Sequence, residues 1–147
     1  MCNMEPHLIK GGIFNDERGT IQFVNNFNFH NISRFYIIEN SKEMDTRAWQ
    51  AHKVDVKNFY CISGSFLISC VKIDNWDKPS NDLPVSRFVL TAKESQILRI
   101  PPGYANAIKS LELGSKLLSF STLPLSETKN DDVRYDKYMW ASDLLPE

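Results

Sequence analysis

The sequence predicts an all-β protein, a sandwich or a barrel, and three observations carry that expectation. Runs of strand length rich in Ile, Val, Phe and Tyr recur along the chain, glycine and proline clusters separate them, and no long segment repeats apolar residues at helical spacing. Short strands at regular intervals cannot bury a face singly, so they pair into sheets that close on one another.

In order, the runs are Ile21 to Val24, Arg34 to Ile38, Val56 to Ile62, Phe66 to Ile73, Val85 to Leu90, Gln96 to Ile100 and Lys116 to Thr122. Alternation is clearest between Phe66 and Ile73, where Phe66, Ile68 and Cys70 share one face and Ser69 points to the other. Gly11-Gly12, Gly19, Gly64, Pro101-Pro102-Gly103 and Gly114 break the runs, and Asp74 to Pro84 reads as a polar loop with two prolines. A hairpin centred on Ser63-Gly64-Ser65 would set Cys61 against Phe66 or Leu67. A short C-terminal helix is expected after Asp131.

At 147 residues and 42% hydrophobic content, the chain has the length of one domain, 1–147, and apolar material for one core. A formal net charge of −1 gives no bulk attraction for nucleic acid or an anionic membrane, so an anionic ligand has to be held by a few placed arginines. No apolar run approaches the roughly 20 residues of a membrane span. The start, Met1-Cys2-Asn3-Met4-Glu5-Pro6, lacks the basic-then-apolar order of a signal peptide, and a cytoplasmic protein is expected. Three cysteines without a C-x-x-C pair make no disulfide framework, and a bridge between Cys61 and Cys70 is not expected; both read as buried free thiols.

The candidate chemistry concentrates at Arg47-Ala48-Trp49-Gln50-Ala51-His52-Lys53. This stretch and Pro101-Pro102-Gly103-Tyr104-Ala105-Asn106 resemble the two blocks with which small β-barrels of the cupin kind ligate metals, H-x-H with a carboxylate a few residues on, then P-x-G-x-x-H. Here Gln50 and Asn106 stand at histidine positions, Val56 and Lys57 stand where the carboxylate would be, and His52 alone remains. Metal sites take about three or four protein ligands in one geometry, so no metal and no cofactor is expected. A neutral imidazole, with an ordinary pKa of about 6.5, can still serve as a base near neutrality.

Four blocks in order then resemble the nucleotide-sugar cupins, the RmlC-like group of dTDP-4-dehydrorhamnose 3,5-epimerases and dTDP-4-keto-6-deoxyglucose 3,4-ketoisomerases. They are Asp16-Glu17-Arg18-Gly19, the Arg47 to Lys53 stretch, Pro101 to Asn106, and Asp131 to Trp140. The resemblance implies a cupin jelly-roll barrel, a homodimer, a dTDP-sugar ligand and a place in deoxysugar biosynthesis for surface polysaccharide. It implies His52 as base, Tyr36 or Tyr104 as proton donor or enolate stabiliser, Arg18 and Arg47 on the diphosphate, and Gln50 and Asn106 on sugar hydroxyls. Arg34 is a further candidate for ligand contact, whereas His7 and His30 fall in polar segments expected to be exposed. Tyr135 and Trp140 are expected to pack either on a partner or on the nucleotide base. The departures fall at catalytic positions: Gln50 replaces the epimerase histidine, Asn106 the histidine of the later block, and Ala48 a glycine. A catalytically silent sugar-nucleotide binder or pathway partner on the same barrel is therefore the alternative to an isomerase.

Overall fold

The computed structural model describes residues 4–41 and 45–142. Its strands are β1 (His7–Lys10), β2 (Gly12–Asp16), β3 (Gly19–Phe23), β4 (Arg34–Ile38), β5 (Arg47–His52), β6 (Lys57–Ser63), β7 (Ser65–Lys72), β8 (Ser86–Thr91), β9 (Gln96–Ile100), β10 (Tyr104–Ser110), β11 (Lys116–Ser121) and β12 (Val133–Arg134), with one short helix, α1 (Leu125–Thr128). The antiparallel pairs build two five-stranded sheets, β1-β9-β6-β11-β4 and β12-β5-β10-β7-β8, and β2-β3 forms a separate ribbon. Every run expected from the sequence overlaps an observed strand.

The expected hairpin at Gly64 does not form. β6 pairs with β9 and β11, while β7 pairs with β8 and β10, so the chain crosses from one sheet to the other at this turn. Gly64 makes the crossing with φ +69, and a Cβ there would lie 2.0 Å from Ser115 Oγ, which itself accepts the Ser65 N–H at 3.1 Å. Only glycine satisfies both the dihedral and the space. Crossing sends the alternating face of Phe66, Ile68 and Cys70 against Phe59, Cys61, Leu98 and Leu117 of the opposite sheet, and these residues form the main core. Cys61 and Cys70 are both buried and free, as the sequence indicated.

A second core lies on the other face of β5 and β10. Trp49, Ala51, Ala105, Ala107 and Val71 point outward and are covered by Trp140, with the Trp49 and Trp140 rings edge to face at 5.3 Å. The alanines leave room for the two indoles. Trp49 Nε1 donates to the Trp140 carbonyl at 3.3 Å, and Trp140 Nε1 donates to the Ser80 carbonyl at 2.9 Å. Trp140 and Tyr135 thus pack within the chain, with their rings 5.7 Å apart.

The helix also departs from expectation. It falls at Leu125–Thr128, before Asp131, and the described residues beyond it run as β12 and turns. Strand pairing decides this: Trp49 and Tyr135 exchange main-chain hydrogen bonds at 3.3 and 3.1 Å, and Val133 opposes Ala51. A helix there would leave the outer edge of β5 unpaired and lift Val133 and Tyr135 off the second core. The C-terminal segment is therefore a strap across the sheet that carries the histidine.

Candidate functional site

Register decides which side chains enter the barrel. Tyr104 opposes His52 and Asn106 opposes Gln50 across the β10–β5 ladder, so all four face inward while Ala51 and Ala105 face the second core. The register then shifts between Asn106 and Ile108, which sets Arg47 opposite Ile108 on the inward side. Uninterrupted alternation from Gln50 would have turned Arg47 outward. From the facing sheet, Tyr36, Lys57 and Phe59 complete the walls of a cavity of about 530 Å³ with Arg47, Gln50 and Asn106. A second cavity of about 340 Å³, bordered by Arg34, His52, Lys129 and Asp132, shares Tyr36, Arg47, Gln50, Lys57 and Arg134 with the first. Together they make one recess of a size that takes a small-molecule ligand.

His52 is 5% exposed. Its Nδ1 lies 3.0 Å from the carbonyl oxygen of Asp131. A carbonyl only accepts, so Nδ1 carries the hydrogen and Nε2 holds the lone pair. Nε2 is buried and has no partner among the described residues. Burial, aided by the Lys57 charge, holds the His52 pKa below its usual 6.5 against the opposing pull of the Asp131 carbonyl and the Asp55 and Asp131 carboxylates. The ring is therefore neutral near pH 7, the state a base requires.

The turn that follows His52 is fixed by Asp131. Its Oδ1 accepts the N–H groups of Lys53 at 2.8 Å and Val54 at 3.1 Å, and its Oδ2 accepts that of Asp55 at 2.8 Å. One residue of the strap thus orients the imidazole with its main chain and the flanking backbone with its carboxylate.

Across the recess lies a buried cation. Lys57 Nζ is 2.9 Å from Asp55 Oδ2 and donates to Ser121 Oγ at 2.8 Å and Tyr36 Oη at 3.2 Å. Asp55 Oδ1 accepts the Thr122 and Leu123 N–H groups at 3.0 and 3.1 Å and the Thr122 hydroxyl at 2.9 Å. Burial pushes the Asp55 carboxyl up, but the Lys57 ammonium and these donors outweigh it and hold the pKa below the usual carboxylate value. Asp55 follows His52 by three residues but serves Lys57. Among the described residues no group of three His, Cys, Asp or Glu side chains comes together to hold a metal ion.

Of the residues singled out in the sequence, Tyr36, Arg34, Arg47, Gln50, His52 and Asn106 border this recess. Gln50 Nε2 donates to Asp132 Oδ1 at 2.9 Å, which leaves its carbonyl oxygen for a ligand. Tyr104 faces inward beside His52 in register but borders a different, apolar cavity with Cys70, Lys72 and Leu83. Arg18 does not reach the recess: it sits at the tip of the β2–β3 ribbon, 81% exposed, and pairs with Asp16 at 2.6 Å. The sequence alone assigns no role to Lys57, Asp55 and Lys129, nor to Asp131, Asp132 and Arg134 individually within the Asp131 to Trp140 block. For Lys57 a signal existed, since a lysine in alternation with Phe59 and Cys61, on the apolar face of its strand, needs an explanation.

The class defined by this architecture is the cupin jelly roll, with one histidine on the inner wall. No family model and no curated protein matches the chain. Among solved structures, it is similar to the sugar 3,4-ketoisomerase QdtA from Thermoanaerobacterium thermosaccharolyticum in complex with TDP, at 22% identity and TM-score 0.69 over 92% of this chain and 91% of that one. It is also similar to a 3,4-ketoisomerase from Helicobacter canadensis, at 20% identity and TM-score 0.69 over 93% and 96% of the two chains. A dTDP-4-dehydrorhamnose 3,5-epimerase from Bacillus anthracis, with TDP and PPi bound, matches at 16% identity and TM-score 0.69 over 85% and 75%. At these identities the likeness establishes the RmlC-like fold. No helix among the described residues is long and apolar enough to cross a membrane.

Proposed function

We propose that this chain is a nucleotide-sugar isomerase or epimerase that acts on a dTDP-4-keto-6-deoxyhexose by removing a proton next to the ketone. One observation carries the reading: His52, a neutral imidazole with a buried Nε2 unpartnered among the described residues, borders the same recess as the Lys57 ammonium and the Tyr36 hydroxyl. A proton at C3 or C5 of a 4-keto sugar is acidic because the electron pair left behind delocalises onto the ketone oxygen as an enolate. His52 Nε2 takes that proton. The Lys57 ammonium and the Tyr36 hydroxyl stabilise the enolate oxygen. Return of the proton to the opposite face gives the epimer, and return to the former carbonyl carbon after hydroxyl-proton transfer gives the 3-keto isomer. Arg34, Arg47, Lys129 and Arg134 gather cations at the mouth against Asp132, a charge balance that suits a diphosphate. The solved structures of similar fold that hold TDP support the same ligand class.

Gln50 and Asn106 favour a second reading, a silent binder of the same ligand, since two facing amides bind hydroxyls but move no protons at neutral pH. Incubation of the protein with dTDP-4-keto-6-deoxyglucose, followed by proton NMR of the sugar, separates the two. A 3-keto or inverted product supports catalysis, and saturable binding without product supports the binder.

Within this proposal the protein is a homodimer. The β2–β3 ribbon exposes Phe14 at 53% and Ile21 at 61%, and the edge strand β4 exposes Phe35 at 65% and Ile37 at 54%. A free two-stranded ribbon is marginal in water, and exposed apolar edges invite pairing. A second copy covers both, and Arg18 would serve a ligand only through that copy.

A further inference from the structure

Outside the recess, a groove of about 320 Å³ lies on the outer face of the first sheet, between β1, β9 and β6 and the 26–32 loop. Its floor presents Arg99, flanked in register by His7 on β1 and Asn58 on β6. Arg99 is half-buried, and no hydrogen bond or ion pair to another described residue engages its guanidinium. No carboxylate borders the groove; its other polar side chains are asparagine amides, His30 and Thr122, whose hydroxyl is taken up by the Val56 N–H and Asp55. A partly desolvated cation among neutral lining groups favours an anion, because no carboxylate lines the groove to offset its charge.

The remaining wall narrows the ligand further. Asn28 Oδ1 accepts the His30 N–H at 2.8 Å, so the amide hydrogens of Asn28 are left to donate. Asn58 is buried and gives its Nδ2 to the Phe120 carbonyl at 3.4 Å, so its oxygen is left to accept. Phe27 closes one side with its ring pinned against Phe29 at 4.8 Å and Phe120 at 5.4 Å. Amides that both donate and accept match vicinal hydroxyls, a fixed aromatic face matches the C–H face of a pyranose, and the volume suits one hexose. We propose that this groove is a second binding site, separate from the barrel recess, for a monosaccharide that carries a phosphate or a carboxylate.

The three histidines provide the test, because His30 borders the groove and His52 the recess. The ring signals are followed by NMR while the intact protein is titrated with glucose 1-phosphate, glucuronate and neutral glucose. The His30 signals move saturably with at least one anion and not with glucose; the anion that moves them identifies phosphate or carboxylate as the source. Arg99→Gln, and Asn28→Asp on the exposed loop, each weaken that response by about tenfold or more, while Arg47→Gln in the recess leaves it unchanged. A stationary His30, an equal response to glucose, or an undiminished response in both groove variants overturns the proposal.

Discussion

His52 Nδ1 and the main-chain oxygen of Asp131 are 3.0 Å apart, and this one bond decides which ring nitrogen can act. Because burial lowers the pKa of this ring below 6.5, kcat/KM rises with pH through an inflection below 6.5 and is level at neutrality. Stability follows the same group. The unfolded chain protonates His52 more readily than the folded one, so its contribution is complete above pH 6.5 and is lost as the pH falls through the lowered folded value. A pH–rate profile, with urea melts at pH 5 and 7 for wild type and His52→Asn, checks both.

Lys57 and Asp55 form a buried pair with side chains 5% and 1% exposed. Removing one partner strands the other charge, so Lys57→Met and Asp55→Asn each cost about 3–5 kcal/mol, and the double variant costs clearly less than their sum. The depressed Asp55 pKa makes this contribution present above the ordinary carboxylate value and lost as the pH falls through the folded one. Denaturant unfolding of the four proteins measures the coupling, and additive losses would remove the pair from the account.

The strap carries Asp132 and Arg134 to the recess and Asp131 to His52, and it is anchored by Trp140 on Trp49. Trp140→Ala leaves a cavity in the second core and costs about 3–5 kcal/mol. Ligand affinity falls with it, because the mouth loses its fixed cation. Isothermal titration with dTDP at a temperature where the variant is folded separates that loss from unfolding.

The ribbon supplies a test of assembly. Ile21→Asp places a charge on an exposed apolar face, so a monomer in sedimentation velocity is expected where wild type sediments as a dimer. Arg18→Ala, at an exposed ion pair, changes stability by less than about 0.5 kcal/mol. A monomeric wild type contradicts the proposed dimer.

The fold was legible in the sequence because strand-length β-rich runs and their turn residues survive in one dimension. The wall bearing Gln50, His52 and Asn106 was legible through its motif positions. The Gly64 crossing was not, because a tight turn between two strands looks local whether the strands pair or part; Ser115, which closes the space around it, is remote in sequence. The partnership of His52 with Asp131 and of Lys57 with Tyr36 and Ser121 was equally hidden, since each depends on strands far apart in the chain that the sheets bring together. Arg18 matched its motif yet stands outside the recess of its own chain, as ribbons that project from a body can.

The most direct measurement is deuterium exchange at the sugar: wild type and His52→Asn are incubated in deuterium oxide with dTDP-4-keto-6-deoxyglucose, and the C3 and C5 proton signals are followed. Loss of at least one of these signals is expected in wild type, with a rate about 100- to 10,000-fold lower in the variant. Equal exchange in both proteins, or no exchange while dTDP binding persists, contradicts His52 as the base.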